Sequence, residues 1–181
     1  SQGASKSRNI GADYAIGKRM VFLDSDDFIT DKFVANRNHL DGDFAVYANM
    51  MMTDSKQKES KRFSSIRSDY LNSFLKAKFA WQTSAILWDP KYFKSLGGFD
   101  NQMILLEDIE LTIRALLDSS QYVVYKDNDI DFYYVSGRIN VEKRPIDKVT
   151  ISAQSLTESI LLTQKLSSKQ KSMLSSYYYL N

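Results

Sequence analysis

The chain has 181 residues, 43% hydrophobic and 25% charged, which is enough for one domain with a core of its own and unlike a disordered or fibrous protein. A formal net charge of +2 makes no electrostatic case for a nucleic-acid partner, and the absence of cysteine removes disulfides, thiolate metal sites and cysteine nucleophiles. No apolar run approaches the ~18–20 residues that cross a bilayer, no signal peptide is visible, and the small polar residues 1–7 do not read as a natural start.

In chain order, Ser5 or Ser7 can cap a first helix that carries Ile10, Tyr14 and Ala15 on one face and ends at Gly17. The apolar run Met20-Val21-Phe22-Leu23 then reads as a strand buried on both faces, as in a parallel sheet. It stops at Asp24-Ser25-Asp26-Asp27, after which Thr30 and Asp31 open a helix that reaches about Leu40. Phe44, Val46, Ala48 and Met50 alternate as in a strand, and residues 53–65 read as a polar loop. Ser68 can cap a helix bearing Tyr70, Leu71, Phe74 and Leu75, and residues 83–88 form an apolar strand. Asp89-Pro90 is a cap followed by proline at the first helical position, and Gly97-Gly98 ends that short helix.

A stronger helix spans about 107–118, with Ile109, Ile113, Leu116 and Leu117 as its buried stripe. Residues 122–125 and 130–135 read as short strands, and 137–146 are basic and irregular. A helix over 147–166 carries Val149, Ala153, Leu156 and Ile160, and another starts near Ser168. Strands and helices alternate, which implies an α/β layered sheet.

Three carboxylates within four residues at the end of a buried strand repel one another and raise each other's pKa. A divalent cation resolves that cost, because hard cations take oxygen ligands and α/β folds bind ligands at the carboxyl ends of their strands. A solvated acidic turn, with Asp26 or Asp27 capping the next helix, fits the same spacing. His39, the only histidine, falls late in its predicted helix and suits a C-terminal dipole role. Trp88 reads as core, Tyr133 and Tyr134 as core or cleft wall, and Tyr177, Tyr178 and Tyr179 as a packing patch. Arg138, Lys143 and Arg144 form either a solvated loop or a basic cover for a diphosphate.

The order of blocks is more specific than any one of them. Gly3-Ala4-Ser5-Lys6-Ser7-Arg8-Asn9-Ile10-Gly11 precedes Val21-Phe22-Leu23-Asp24-Ser25-Asp26-Asp27; Trp81, Gly97-Gly98-Phe99-Asp100 and Glu107-Asp108-Ile109-Glu110-Leu111 come later. Over residues 3–135 this succession resembles the inverting family 2 glycosyltransferases. The resemblance implies a GT-A-like fold, a mixed sheet flanked by helices, with residues 1–135 as part of the catalytic domain and 136–181 as a basic loop and helical extension. Family members begin with three strands and two helices before the R-N-x-G block, so the chain resembles an N-terminally truncated domain.

Residue by residue, the resemblance implies that Asp26 ligates Mn2+ or Mg2+ on the donor diphosphate, with Asp24 on the ribose or the metal. Arg8, Asn9 and Ser25 join Asp24 on the donor side. Asp108 is implied as the general base, and Trp81, Gly97, Gly98 and Glu107 as neighbours of the acceptor. The implied partners are a nucleotide sugar, a UDP-sugar foremost, and a saccharide or lipid-linked acceptor. The implied setting is bacterial polysaccharide biosynthesis in the cytoplasm, peripheral to the membrane's inner face. A positioned base contributes roughly 10²–10⁴-fold, and a metal neutralises charge on the leaving oxygen. Proximity to a helix N-terminus lowers the pKa of Asp108 while Glu107 raises it, which leaves the balance open. Two other readings stay on the table: an inactive fragment or binding module of the same fold, and a phosphotransferase with Asp24 as nucleophile, against which stands Phe28 where such enzymes place Thr or Val.

Overall fold

Two small sheets carry the structure, a computed structural model that describes residues 3–39, 41–53, 60–63, 69–135 and 146–179. The first is built around β2 (Phe44–Tyr47), whose four residues are all buried. This strand pairs antiparallel with β5 (Ile86–Trp88) and parallel with β6 (Tyr122–Tyr125). A run of Phe, Ala, Val and Tyr suits that central place because both of its faces must be apolar. The second sheet has the order β1 (Phe28–Ile29), β7 (Phe132–Val135), β3 (Met50–Thr53), β4 (Ser60–Phe63). Here β3 runs parallel to β7 and antiparallel to β4, and β1 pairs antiparallel with β7.

The alternating stretch from Phe44 to Met50 is therefore one extended ribbon shared by two sheets. Asn49 and Asn128 form the corner: Asn49 donates its backbone N–H to Asn128 Oδ1 and its Nδ2 to the Asn128 carbonyl, and Asn128 Nδ2 donates back to the Asn49 carbonyl. Those reciprocal bonds satisfy backbone groups where neither ladder continues.

Seven helices flank the sheets among the described residues: α1 (Ala4–Tyr14), α2 (Phe33–Asn36), α3 (Tyr70–Leu75), α4 (Pro90–Ser95), α5 (Glu107–Asp118), α6 (Ile146–Leu162) and α7 (Ser168–Met173). Local chemistry explains the starts of α4 and α7. Asp89 accepts from the N–H groups of Lys91 and Tyr92 with proline at the first helical position, and Ser167 and Gln170 form a reciprocal capping box. Ile109, Ile113 and Leu116 of α5 are buried as their spacing predicts. Ala153, Leu156 and Ile160 of α6, with Tyr177, join the same core as Phe44, Trp88 and Phe99, so the C-terminal helices and the sheet share one interior. The mixed α/β architecture expected from the alternation of elements is the one found.

Several local expectations need correction. Residues 20–23 form no parallel ladder; Met20 bridges Trp88 antiparallel, exchanging both backbone bonds, and pairing stops there. The helix expected from Thr30 to Leu40 is a single turn, α2, without a side-chain cap at Lys32. It ends because Arg37 leaves the helical conformation and turns into a buried pair with Asp131. His39 lies beyond that turn, so no dipole role applies to it; its carbonyl accepts from the Tyr47 hydroxyl. The loop expected over 53–65 contains β4, paired to β3. Asp69, by accepting from the Asn72 N–H, caps α3 in place of Ser68, which lies outside the described residues. Residues 83–85 make a 3-10 turn before β5 begins. Tyr177 is buried, while Tyr178 and Tyr179 are exposed. Arg138, Lys143 and Arg144 lie outside the described residues.

Candidate functional site

The acidic turn is pinned on both sides. Upstream, Met20 bonds to Trp88, and the Phe22 ring packs 5.1 Å from Phe93 and 4.9 Å from Phe99. Within the turn the Asp27 N–H donates to the Asp24 carbonyl at 3.1 Å, and downstream Phe28 and Ile29 enter the second sheet against β7. The four residues 24–27 thus sit at the rim where the two sheets meet, with Ser25 and Asp26 exposed and Asp24 and Asp27 half-buried.

The α5 N-terminus forms the facing wall. Its cap residue, Leu106, has φ 65°, a left-handed conformation that non-glycine residues adopt at a cost of ~1–2 kcal/mol. That abrupt entry puts Glu107 and Asp108 in the first turn, where the helix dipole favours negative charge. Arg8 of α1 joins the two walls: Nη2 donates to Asp24 Oδ1 at 2.6 Å and Nη1 donates to Glu107 Oε1 at 2.7 Å. One guanidinium therefore bridges the acidic turn and the α5 N-terminus, and its face lies 5.3 Å from the Phe99 ring centre.

Asn9 does a different job. Its Oδ1 accepts from the Phe99 N–H at 2.9 Å, and its Nδ2 donates to the Phe99 carbonyl at 2.8 Å and to Asn101 Oδ1 at 3.1 Å. The loop it grips begins with Gly97 and Gly98 at φ +84° and +68°. A Cβ on Gly98 would lie 2.6 Å from Asn9 Oδ1, so both the backbone angle and the close approach require glycine there. Arg114 braces the same loop from below by donating to the carbonyls of Leu96 and Gly98. It is oriented in turn by two bonds to the buried Glu110, which also accepts from Ser159. The last acid of the E-D-x-E block is thus spent on architecture, a role that its position in the motif did not reveal.

Asp108 Oδ2 accepts from the Thr83 hydroxyl at 3.0 Å. Burial, with Glu107 second, raises its pKa, against the opposing pull of Thr83, the Ile109 N–H and Arg8; the question left open by the sequence is decided for the raised side. Asp27 accepts from the Val135 N–H at 3.0 Å and from the Ser84 hydroxyl at 3.4 Å. Burial first, then Asp24 and Asp26, push it up to about 6. The Tyr134 phenol marks where these groups converge: burial, then Asp27, Asp26, Asp24 and Asp108 together, hold its pKa above the ordinary value. Sequence alone left Tyr134 between core and cleft wall; it is half-buried on β7, next to Val135, whose N–H bonds Asp27.

Trp81 is enclosed in the core, 5.0 Å from Tyr70 and 4.9 Å from Phe74 by ring centres, and its indole Nε1 has no hydrogen-bond partner among the described residues. Among the described residues no three acidic or histidine side chains are grouped as a metal ion would need. Asp26 and Asp24 are what the rim offers, and Asp24 already engages Arg8. No helix among the described residues is long and apolar enough to cross a membrane.

No family model and no curated protein matches the chain. Solved structures do. Residues 1–349 of TarS from S. aureus superpose with a TM-score of 0.61 at 18% identity, over 98% of this chain and 51% of that one. The same protein in complex with UDP gives 0.62 at 16% identity, over 97% and 50%. In complex with UDP-GlcNAc it gives 0.66 at 16% identity, over 99% and 53%. The chain spans about half the length of these TarS chains. At such identities the likeness is one of fold: this chain has the mixed α/β fold found in S. aureus TarS, and its acidic rim lies on that fold.

Proposed function

We propose that the chain is part of a nucleotide-sugar glycosyltransferase that acts by single displacement with inversion. The observation that carries this reading is the Arg8 bridge, which draws together the 24–27 turn and the α5 N-terminus, where Asp108 follows Glu107. Kinship of fold with a protein solved with UDP and with UDP-GlcNAc supports a UDP-sugar as donor.

In this reading Asp24 and Asp26 would hold Mn2+ or Mg2+ on the donor side of the site. The rim fits such an ion in part. Burial first, then the charges of Asp24 and Asp26, raises the Asp27 pKa, so the turn carries negative charge that a cation would offset. When bound, the ion supplies charge neutralisation at the leaving oxygen. Arg8, on the Asp24 side, faces the donor diphosphate, and Ser25 lies exposed beside it. Asn9 shapes the site by holding the loop that begins at Gly97 and Gly98.

Asp108 takes the proton of the acceptor hydroxyl. Its raised pKa suits that work, since a base with a pKa nearer the working pH accepts a proton with less loss of driving force. Glu107 and the Gly97-Gly98 turn flank the acceptor side, with Trp81 as packing behind it. The acceptor is a saccharide or lipid-linked saccharide.

Isothermal titration of the protein with UDP and UDP-GlcNAc, with and without Mn2+, tests the reading. Binding that requires the ion and is lost in Asp26→Ala is the expected result. Binding that ignores both, or no heat in any arm, would overturn it.

A further inference from the structure

One short turn touches a carboxylate of the acidic turn and a carboxylate of the α5 N-terminus. In the 3-10 turn Thr83–Ala85, the Thr83 hydroxyl donates to Asp108 Oδ2 at 3.0 Å, and the next residue, Ser84, donates to Asp27 Oδ2 at 3.4 Å. Neither hydroxyl is free to wander, because Thr83 and Ser84 are both buried. The Ser84 carbonyl is itself fixed, accepting from Arg37 Nη1 at 2.7 Å, and Arg37 is locked to Asp131. A chain of contacts therefore runs from a sealed ion pair, through one turn, to the carboxylate proposed as base.

We propose that Thr83 is a positioning residue for Asp108: its hydroxyl holds that carboxylate in one orientation and favours its charged form. This rests on the transferase reading for its consequence in turnover, although the contact itself does not. A hydroxyl that donates to a carboxylate stabilises the charged form, and an oxygen held by a buried donor cannot rotate without leaving that donor unsatisfied. The groups that act on Asp108 are Glu107 and the Ile109 N–H on its own helix, Thr83, and Arg8 of α1, while the Asp108 charge is itself felt by the phenols of Tyr134 on β7 and of Tyr177 in the 3-10 segment Leu174–Tyr179. Thr83 supplies the side-chain hydrogen bond among these influences. Valine has the shape of threonine without the hydroxyl, so Thr83→Val removes the donor and little else.

Two readouts test this. The first needs no turnover: the titration midpoint of Asp108, followed by carboxyl carbon NMR with Asp108→Asn used to assign the signal. In Thr83→Val the midpoint should rise by about one unit, and in Thr83→Ser, which keeps the donor, it should stay where it is. The second is the pH profile of transfer. In Thr83→Val the acid limb should move to higher pH, lowering kcat about tenfold on that limb with the donor KM unchanged, and Thr83→Ser should restore it.

A folded Thr83→Val with an unmoved midpoint would overturn the proposal, as would an unmoved acid limb in an active enzyme. Should Thr83→Val not fold, Thr83→Ser decides: an unmoved midpoint upholds the role of the hydroxyl and a displaced one overturns it. Wild-type protein that transfers no sugar would sink the transferase reading and leave the NMR result to judge Thr83 by itself.

Discussion

Of the arginines that serve carboxylates, Arg37 and Arg8 stand in different surroundings. Arg37 and Asp131 are sealed, with side chains 2% and 0% exposed, paired through both carboxylate oxygens and flanked by the rings of Phe33 and Tyr47. Arg8 is 19% exposed and spans Asp24, at 37%, and Glu107, at 14%. A sealed pair has no exchange partner and acts as scaffold. An open bridge between two segments can trade its contacts for those of a ligand that brings its own charges, which is what a binding site requires.

Breaking the sealed pair should have the largest effect. Asp131→Asn leaves the Arg37 charge buried without its counter-ion, and we expect a loss of about 3–5 kcal/mol in urea unfolding. A loss below ~1 kcal/mol would mean that Arg37 is no better sealed than an exposed ion pair, and the contrast with Arg8 would collapse.

Gly98→Ala asks what anchors α1, Arg8 or its neighbour Asn9. The substitution forces a side chain into φ +68° and against Asn9 Oδ1. We expect a loss of about 2–3 kcal/mol, from the left-handed penalty and one weakened Asn9 bond. If stability is unchanged, the grip of Asn9 on the Phe99 backbone contributes little, and Arg8 does the anchoring.

Arg8→Gln should cost less, about 1–2 kcal/mol, because water reaches the carboxylates it leaves behind. It should also sharpen the contrast in another way. With the internal cation gone, Mn2+ should raise the melting temperature more in this variant than in the wild type, while affinity for UDP falls. Equal responses to Mn2+ would mean that Arg8 and a bound cation do not share the same carboxylates.

The parts of this architecture that follow from neighbouring residues were legible beforehand. The Asp89-Pro90 cap, the Gly97-Gly98 stop, the stripe of α5 and the α/β alternation depend on local spacing, which the sequence displays directly. The order of motif blocks likewise picked out Arg8, Asp24, Glu107 and Asp108 as candidates, and the structure brings these four together. What escaped were contacts between distant residues. Arg37 ends α2 early because Asp131, ninety-four positions away, pairs with it, and helix propensity carries no trace of that partner. Thr83 and Ser84 looked like ordinary strand residues, since a hydroxyl shows its role only when its acceptor is placed. Glu110 and Arg114 are spaced as a helical i, i+4 pair, and that spacing was the available signal for their bracing role.

The smallest effect concerns Asp27, a carboxylate of the turn that neither arginine contacts. Asp27 has its pKa pushed up to about 6 from the ordinary 3.8, by burial first and then by Asp24 and Asp26. A folded state that holds a proton to higher pH than the unfolded state is stabilised fully below about pH 4, and it loses that advantage as pH rises to about 6. Two units would amount to ~3 kcal/mol in a sealed site, but Asp27 stands at a half-open rim, so we expect ~1 kcal/mol. In metal-free buffer the melting temperature should therefore decline across that window. Asp108, raised for a related reason, contributes with the same sign, so Asp27→Asn should shrink the slope and leave a remainder. Mn2+ should shrink it in the wild type as well, since a cation at the rim offsets the repulsion from Asp24 and Asp26. A slope untouched by either change would place the pH sensitivity outside the acidic turn, and the open bridge of Arg8 would then be sufficient to neutralise it.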